Sequence, residues 1–343
     1  MDPGPQPLAC HLPGPAVSVS NRSGALFVGL CTLDIIQSVA HVPGSNDKIT
    51  ALRQTIAAGG PAANAAVTYA YLGGNSVLLT SVGKHPLASG IRADLARARV
   101  KLTDLNIRSE EPPSLSSVLV TASSGERAVV STNARHQNVS APDYLYQLVE
   151  HCVLVEADGH HPEVAEAALR MARQSGKMTV LDGGSWKIGT ERLLADCDVA
   201  VCSSDFHPPG ADTPEQVLAF LHEHGVKWSA ITNGGSPITW RGGSDVHSLE
   251  VPGVHVVDTL AAGDVFHGAL AWMLATQAQT DSGSFRDALD FAAYVAGASC
   301  RHFGSREWMK SPRDGTIQRA RERRAVMTTS PRPWPHEDRG ERR

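Results

Sequence analysis

The second half of the chain alternates short apolar segments with helical ones, and this alternation restricts the fold more than any other feature. Short runs rich in Val, Leu and Ala predict buried strands. Strands and helices that alternate with short loops form a parallel sheet covered on both faces. The sequence therefore predicts an α/β fold with a central, mostly parallel sheet flanked by helices on both faces. The predicted strands are 152–158, 178–184, 199–204 and 228–235, and the predicted helices are 162–176 and 214–225.

The first half of the chain contains elements of the same kind. The apolar run 25–36 predicts one buried strand, and 76–83 predicts another. A helix is expected to end within 67–74, where two glycines close it, and 87–100 predicts the next helix.

A β-rich appendage interrupts this pattern. Residues 116–132 form two alternating β runs joined by a turn at Ser124–Gly125, which is the pattern of a hairpin. We expect this hairpin, over about 115–132, to join residues 37–60 in a small β-sheet lid. A hairpin has open edges, so the lid would also allow a homodimer.

Composition excludes several classes of protein. The 343 residues carry a formal net charge of −4, so nothing global indicates binding to nucleic acid or to a membrane surface. No apolar run reaches the roughly 18–20 residues that span a bilayer, and the N-terminus lacks the regions of a signal peptide. The six cysteines form no CxxC pair, which predicts a reducing, cytoplasmic location.

Both ends of the chain differ from the rest. Residues 1–24 are rich in Pro and Gly and predict a disordered arm. Residues 311–343 are polar and rich in Arg, which is more typical of a solvated tail than of an RNA-binding arm. The ordered domain is therefore expected over 25–310.

The segment 256–274, VVDTLAAGDVFHGALAWML, carries the first candidate site. Its apolar residues have helical spacing after Asp264, so a helix is predicted to begin near 262–264. The unpaired N–H groups of that first turn attract anions, and the small residues Ala261, Ala262 and Gly263 let a phosphate approach them. Asp264 would then lie beside the phosphate. The alternative is that Asp264 is only a favourable first-turn acid.

A second candidate site lies near the N-terminus. Gly59 and Gly60 leave room for a ligand to approach the backbone, and Asn64 near the start of the next helix can both donate to and accept from a sugar hydroxyl. Asp34 follows the first predicted strand, at the end where open α/β sheets bind ligands. The alternative for these glycines and Asn64 is a turn followed by a helix start. The chain contains no Walker motif and no GxGxxG after a strand.

These stretches together resemble the ribokinase-like (PfkB) family of carbohydrate kinases. GGPAANAAVTYAYLGG is similar to the N-terminal signature of that family, and DTLAAGDVFHGAL is similar to its C-terminal signature, DTxxAGD. GLCTLDII, SVG, GERAVV and ITNGG follow in the expected order. The resemblance covers about 25–310 and implies a ribokinase-like fold that phosphorylates a sugar hydroxyl with ATP.

The resemblance also implies roles for individual residues. Asp264 would be the base, and 261–263 would form the anion hole for the transferred phosphoryl group. We expected the helix dipole to lower the pKa of Asp264. The sugar would contact Asp34, Gly59, Gly60 and Asn64, and the nucleotide would contact Thr232, Asn233, Gly234 and Gly235.

Two cations are implied in the same way. Mg²⁺ would arrive with ATP, held mostly by phosphate and water oxygens. Asp258, with Leu260, would anchor its loop, with K⁺ as the monovalent cation. The family's NxxE segment, linked to Mg²⁺, corresponds to Ser204–His207 in the resemblance, without its Asn and Glu. Either Asp205 substitutes or the metal is held differently, so no Mg²⁺ ligand is assigned. His85 stands where many members have an acid.

The substrate stays open at this level. DVFHGAL, ASCRHFG and DGHHPE resemble the ketohexokinase and sulfofructose kinase branch, whereas DTLAAGD resembles ribokinase. Arg127 and Asn133, on and after the lid hairpin, could reach an anionic or hydroxyl-rich substrate, or they could simply be exposed polar residues. A nucleoside kinase and a binding protein with weak catalysis are the alternatives to a sugar kinase.

Overall fold

The computed structural model describes residues 24–310 apart from 136 and 278, together with 315 and 322. The predicted tail therefore lies almost entirely outside the described residues, as does the predicted arm up to residue 23. Gly24, which we assigned to the arm, already belongs to the first strand.

Within the described residues, nine strands form one large sheet. They are β1 (Gly24–Val28), β4 (Asn75–Thr80), β5 (Val100–Asp104), β8 (Leu154–Ala157), β9 (Met178–Gly183), β10 (Val199–Ser203), β11 (Trp228–Asn233), β12 (Ser236–Gly242) and β13 (Asp245–Leu249). Their order is β13-β12-β11-β10-β9-β8-β1-β4-β5. All neighbours from β11 to β5 pair in parallel, which confirms the predicted sheet. The antiparallel hairpin β12–β13 at one edge was not predicted.

Helices cover both faces of this sheet because its strands carry apolar side chains on both sides. In β1, Ala25 and Phe27 belong to one hydrophobic core, whereas Leu26 and Val28 belong to another. The first core includes residues of α1 (Pro61–Tyr71), α2 (Ala88–Arg97), α7 (Ala262–Thr276) and α8 (Ser282–Cys300). The second includes residues of α3 (Leu145–Glu150), α4 (Pro162–Gln174), α5 (Glu191–Leu194) and α6 (Pro214–Glu223).

A separate small sheet forms the lid. Its strands, in the order β3-β2-β6-β7, are β2 (Thr32–Val39), β3 (Arg53–Gly59), β6 (Leu115–Thr121) and β7 (Arg127–Ser131). The hairpin β6–β7 is antiparallel, as predicted. Ile36, Val118 and Val120 of this sheet pack with Phe303, from the segment that follows α8.

The prediction of one strand over 25–36 was wrong. Strand β1 ends at Val28, and β2 begins at Thr32 in the other sheet. Both halves of the run are apolar because both are buried, so the pattern does not reveal the break. The lid therefore begins at Thr32, earlier than the predicted residue 37.

The topology marks one end of the large sheet for ligand binding. Strand β1 has β4 on one side and β8 on the other, so the chain winds in opposite directions from it. The carboxyl ends of β1 and β8 consequently form a crevice, the usual ligand site in open α/β sheets. The lid starts from this crevice. No helix among the described residues is long and apolar enough to cross a membrane.

Candidate active site

Helix α7 begins at Ala262, as the spacing predicted, and its N-terminus lies at the crevice. The preceding residue, Ala261, has a positive φ of 61°, and no side chain caps the helix. Uncapped first-turn N–H groups attract an anion. Gly263 is exposed. No described atom outside its own helix lies within 4 Å of the position that its Cβ would take. The arrangement therefore suits the predicted anion hole.

Asp264 occupies the third position of this helix. Its Oδ2 accepts a hydrogen bond of 2.8 Å from the Asn64 side-chain amide. Removal from water raises the pKa of Asp264 to about 6, and the negative charge of Asp182 adds to this effect, whereas Asn64 and His267 oppose it. Our expectation of a lowered pKa was wrong, because desolvation and a neighbouring carboxylate outweigh the helix dipole. A carboxylate with this pKa is a better base than an ordinary Asp and is still ionised at neutral pH.

The Asp34 side chain lies against the backbone of Gly59, its diagonal neighbour on the adjacent strand of the lid. They lie on the antiparallel strands β2 and β3, and a Cβ on Gly59 would be 1.9 Å from Asp34 Oδ2. Asp34 was expected at the end of the first strand, but it lies inside β2, on the lid. The Thr32 hydroxyl donates to its Oδ1 at 2.5 Å, and burial raises the pKa of Asp34. Glycine at position 59 is therefore required for Asp34 to occupy this place.

A pocket between the lid and the large sheet brings most of the predicted sugar and catalytic residues together. Among its lining residues are Asp34, Gly60, Asn64, Ala261 and Asp264. The lid adds polar side chains that the sequence did not assign to the sugar, Ser116 and Ser131.

The two polar residues singled out on and after the lid hairpin behave differently. Asn133 lines the pocket. Arg127 instead donates to the hydroxyl of Thr259 at 2.6 Å and to its carbonyl oxygen at 3.2 Å. Arg127 thus connects the lid to the loop that precedes α7.

The predicted nucleotide residues lie at the same edge of the large sheet. Thr232 and Asn233 end β11, and Gly234 and Gly235 form the turn into β12. The Ser204 hydroxyl donates to Asn233 Oδ1 at 3.4 Å, and the Ser204 N–H donates to the Thr232 carbonyl at 2.8 Å. The segment that replaces the family's NxxE sequence is therefore adjacent to the predicted nucleotide residues.

Asp258 anchors its loop through the backbone. Its Oδ1 accepts from the N–H of Leu260 and its Oδ2 from the N–H of Gly304, both at 2.8 Å. These bonds connect the loop before α7 to the segment after α8. The anchoring role was predicted, and these bonds provide it through protein groups alone. A monovalent cation at Asp258 and Leu260 stays a prediction.

Sequence reasoning missed acidic residues at the carboxyl ends of the central strands. Asp158 follows β8 and accepts from the N–H groups of Leu30 and Ala62. Burial alone would raise its pKa, but the charge and hydrogen bonds of His160 bring it down to about 2. Asp182, near the end of β9, lies 3.2 Å from His267 Nε2, and burial raises its pKa to about 7. The position of an acid at the carboxyl end of a predicted strand could have identified both residues as candidates for the site.

Arg306 was missed for a different reason. It lies in a loop between α8 and a short 3₁₀ helix, Glu307–Lys310, where no periodicity or motif marks it. Its guanidinium nevertheless donates to Asn64 Oδ1 at 2.9 Å. No feature of the sequence relates these two distant positions.

The assembled site defines a class of protein. A carboxylate with a raised pKa lies at an uncapped helix N-terminus, beside a polar pocket that a small sheet covers. This combination provides a base, an anion-binding site and an adjacent pocket with hydrogen-bonding side chains, which is what a phosphotransferase with an alcohol acceptor needs.

A family comparison agrees with that class. The profile of the pfkB family carbohydrate kinases matches residues 23–312, so the chain belongs to the pfkB family. The family resemblance is thereby confirmed, and the protein is an ATP-dependent sugar kinase.

Individual relatives are distant but cover most of the chain. Ketohexokinase from Mus musculus is 23% identical over 288 residues, which is 80% of this chain and 95% of that protein. Ribokinase from Haemophilus influenzae is 23% identical over 297 residues, 83% of this chain and 94% of that protein. The solved structure of Arabidopsis thaliana ribokinase complexed with ribose and ATP has a TM-score of 0.69 at 20% identity and covers 87% of this chain and 98% of that one. The fold is therefore ribokinase-like, with a separate small sheet.

Proposed function

We propose that this chain transfers the γ-phosphoryl group of ATP to a hydroxyl of a neutral, unphosphorylated monosaccharide. The charge of the pocket carries this proposal. Asp34 and Asp264 supply two carboxylates, and none of the described lining residues is Lys, Arg or His. A sugar phosphate or sulfonated sugar would meet two negative groups with no cation to balance them. Arg127 of the lid hairpin is engaged with Thr259.

Each pocket residue has a role in this reaction. Asp264 accepts the proton of the attacking hydroxyl, and its raised pKa supports that role. Asp34 and Asn133 hydrogen-bond other hydroxyl groups of the sugar, and Gly59 and Gly60 let the ring approach the backbone. The N–H groups at 261–263 bind the phosphoryl group during in-line transfer, which depends mainly on positioning and charge stabilisation.

ATP binds along the carboxyl ends of β10 and β11 in this proposal. Thr232 and Asn233, with Gly234 and Gly235, contact the nucleotide. The described residues contain no group of three or more His, Cys, Asp and Glu that could hold a metal ion. In this proposal Mg²⁺ arrives on the ATP phosphates, where it neutralises charge, with water as its other ligands. K⁺ at Asp258 and Leu260 remains part of the proposal.

The test measures ADP release from Mg·ATP with fructose, ribose, fructose 6-phosphate, sulfofructose, 2-keto-3-deoxygluconate and adenosine. We expect turnover with a neutral sugar and a loss of about 10²–10⁴-fold in Asp264→Asn. Asp245→Asn, at an exposed position of β13, is the matched control and should keep full activity.

Each alternative result has a defined meaning. Preference for an anionic acceptor (fructose 6-phosphate, sulfofructose or 2-keto-3-deoxygluconate) would contradict the proposal of a neutral substrate. Preference for adenosine would indicate a nucleoside kinase. ATP binding without turnover on any acceptor would favour the binding protein. Unchanged kcat in Asp264→Asn would refute the role of the base.

We propose in addition that the kinase domain begins at Gly24 rather than at the predicted residue 25, extends to residue 310 and pairs through its lid. The small sheet carries exposed apolar side chains, with Ile56 53% and Val130 76% exposed, and β7 is an outer strand of this sheet. Val130→Glu should convert a dimer to a monomer in light scattering, whereas a monomeric wild type would refute the pairing.

The five described cysteines are free and buried, which supports a cytoplasmic location.

A further inference from the structure

Arg306 is the centre of a buried polar network behind the pocket. Its Nη1 donates to Asn64 Oδ1 at 2.9 Å, its Nη2 to the Ala58 carbonyl at 2.7 Å and its Nε to Asp94 Oδ2 at 3.2 Å. The Arg306 side chain is 15% exposed, and Asn64 is 2% exposed. One guanidinium thus connects α1, which contributes Asn64 to the pocket, with α2 and the end of β3.

The chemistry of the guanidinium fixes the direction of the Asn64 amide. Arginine has only donors, so the group that faces it must be the Asn64 oxygen. The Asn64 nitrogen must then face the opposite way, where it donates to Asp264 Oδ2 at 2.8 Å. A flipped amide would place an oxygen against the Asp264 carboxylate and an N–H₂ group against the guanidinium. Both contacts would be repulsive.

We propose that Arg306 is a positioning residue, which sets the orientation of the Asn64 amide and through it that of the Asp264 carboxylate. As a determinant of catalysis, this role rests on the proposed function of Asp264 as the base. With Oδ2 engaged by Asn64, Oδ1 of Asp264 is directed to the substrate hydroxyl. Arg306 itself does not touch the substrate.

The same contact controls the ionisation of Asp264. The amide donation stabilises the carboxylate and lowers its pKa, against burial and the charges of Asp182 and Asp34, while His267 also lowers it. Loss of the fixed amide should therefore raise the pKa of Asp264. The expected rise is about one pH unit, because a hydrogen bond to a charged group is worth roughly tenfold in an equilibrium constant.

The experiment follows the carboxyl carbon of Asp264 by NMR titration of the full chain labelled with [¹³C]aspartate, assigned by comparison with Asp264→Asn. Arg306→Gln should raise the pKa of Asp264 by about one pH unit. Turnover of the accepted sugar should fall several-fold at pH 6 and much less at pH 8. Arg306→Lys keeps a cationic donor and should restore most of both quantities.

Asp94→Asn is the matched control, because it weakens the Asp94 contact and leaves the Asn64 contact in place. It should leave the Asp264 titration close to that of the wild type. An unchanged Asp264 titration in folded Arg306→Gln would overturn the proposal, as would an equal shift in Asp94→Asn. If Arg306→Gln shifts the Asp264 titration but the wild type phosphorylates no sugar, the positioning role is retained and the proposed function is refuted, so the two failures are distinguishable.

Discussion

Gly263→Ala, at the N-terminus of α7, should change the stability of the protein and its kcat in opposite directions. Gly263 is the second residue of the helix. A Cβ at this position would have no described atom from outside the helix within 4 Å. Replacement of Gly by Ala at a compatible helical position stabilises by about 0.5–1 kcal/mol. For a domain of this size, that gain corresponds to a rise in Tm of roughly 1–3 °C.

The effect on catalysis should have the opposite sign. A helical Cβ is tilted toward the N-terminus, so the new methyl group enters the space where the phosphoryl group approaches the first N–H groups. Loss of a single donor in an anion hole costs about 10²–10³ in kcat. We therefore expect Gly263→Ala to lose about 10²-fold in kcat while it melts at the wild-type temperature or slightly above.

The assay combines steady-state ADP release with thermal unfolding of the same preparation. Gly90→Ala, at the exposed third position of α2, is the matched control and should gain stability with no loss of activity. Wild-type kcat in Gly263→Ala would refute the anion hole. A large fall in Tm would mean instead that the methyl group disturbs the helix start.

Three further predictions test the site and its support. In a pH–rate profile, activity should fall as the pH drops through about 6, because Asp264 must lose its proton to act as a base. Gly59→Ala places its Cβ 1.9 Å from Asp34 Oδ2, so the sugar KM should rise at least tenfold. Gly268→Ala places its Cβ 2.3 Å from the Ala65 carbonyl, where α7 crosses α1, so urea unfolding should show a loss of about 1–3 kcal/mol.

The sequence was informative wherever local spacing carries the signal. The alternation after residue 150 predicted the parallel sheet, because the periodicities of buried strands and amphipathic helices differ. The start of α7 was predicted because small residues and Asp264 precede a helical pattern. The hairpin β12–β13 had no such signal in our reading and was missed.

Prediction from local spacing failed where the chain passes from the large sheet to the lid. The run 25–36 is continuously apolar, yet Val28 ends a strand of the large sheet and Thr32 begins a strand of the lid. Asp34 was consequently assigned to the edge of the wrong sheet. It still lines the pocket, because the lid strand that carries it starts from the crevice.

The ionisation of Asp264 shows why a local rule can give the wrong sign. The helix dipole alone lowers the pKa of a first-turn acid, and it depends only on residues that are close in sequence. Burial and the charge of Asp182 come from tertiary packing, and together they dominate. The amide that moderates them, Asn64, is 200 positions from Asp264, and the guanidinium that orients this amide is 242 positions from Asn64. The identity of the residue at the active site is therefore predictable from a motif, whereas its pKa depends on contacts that only the folded chain creates.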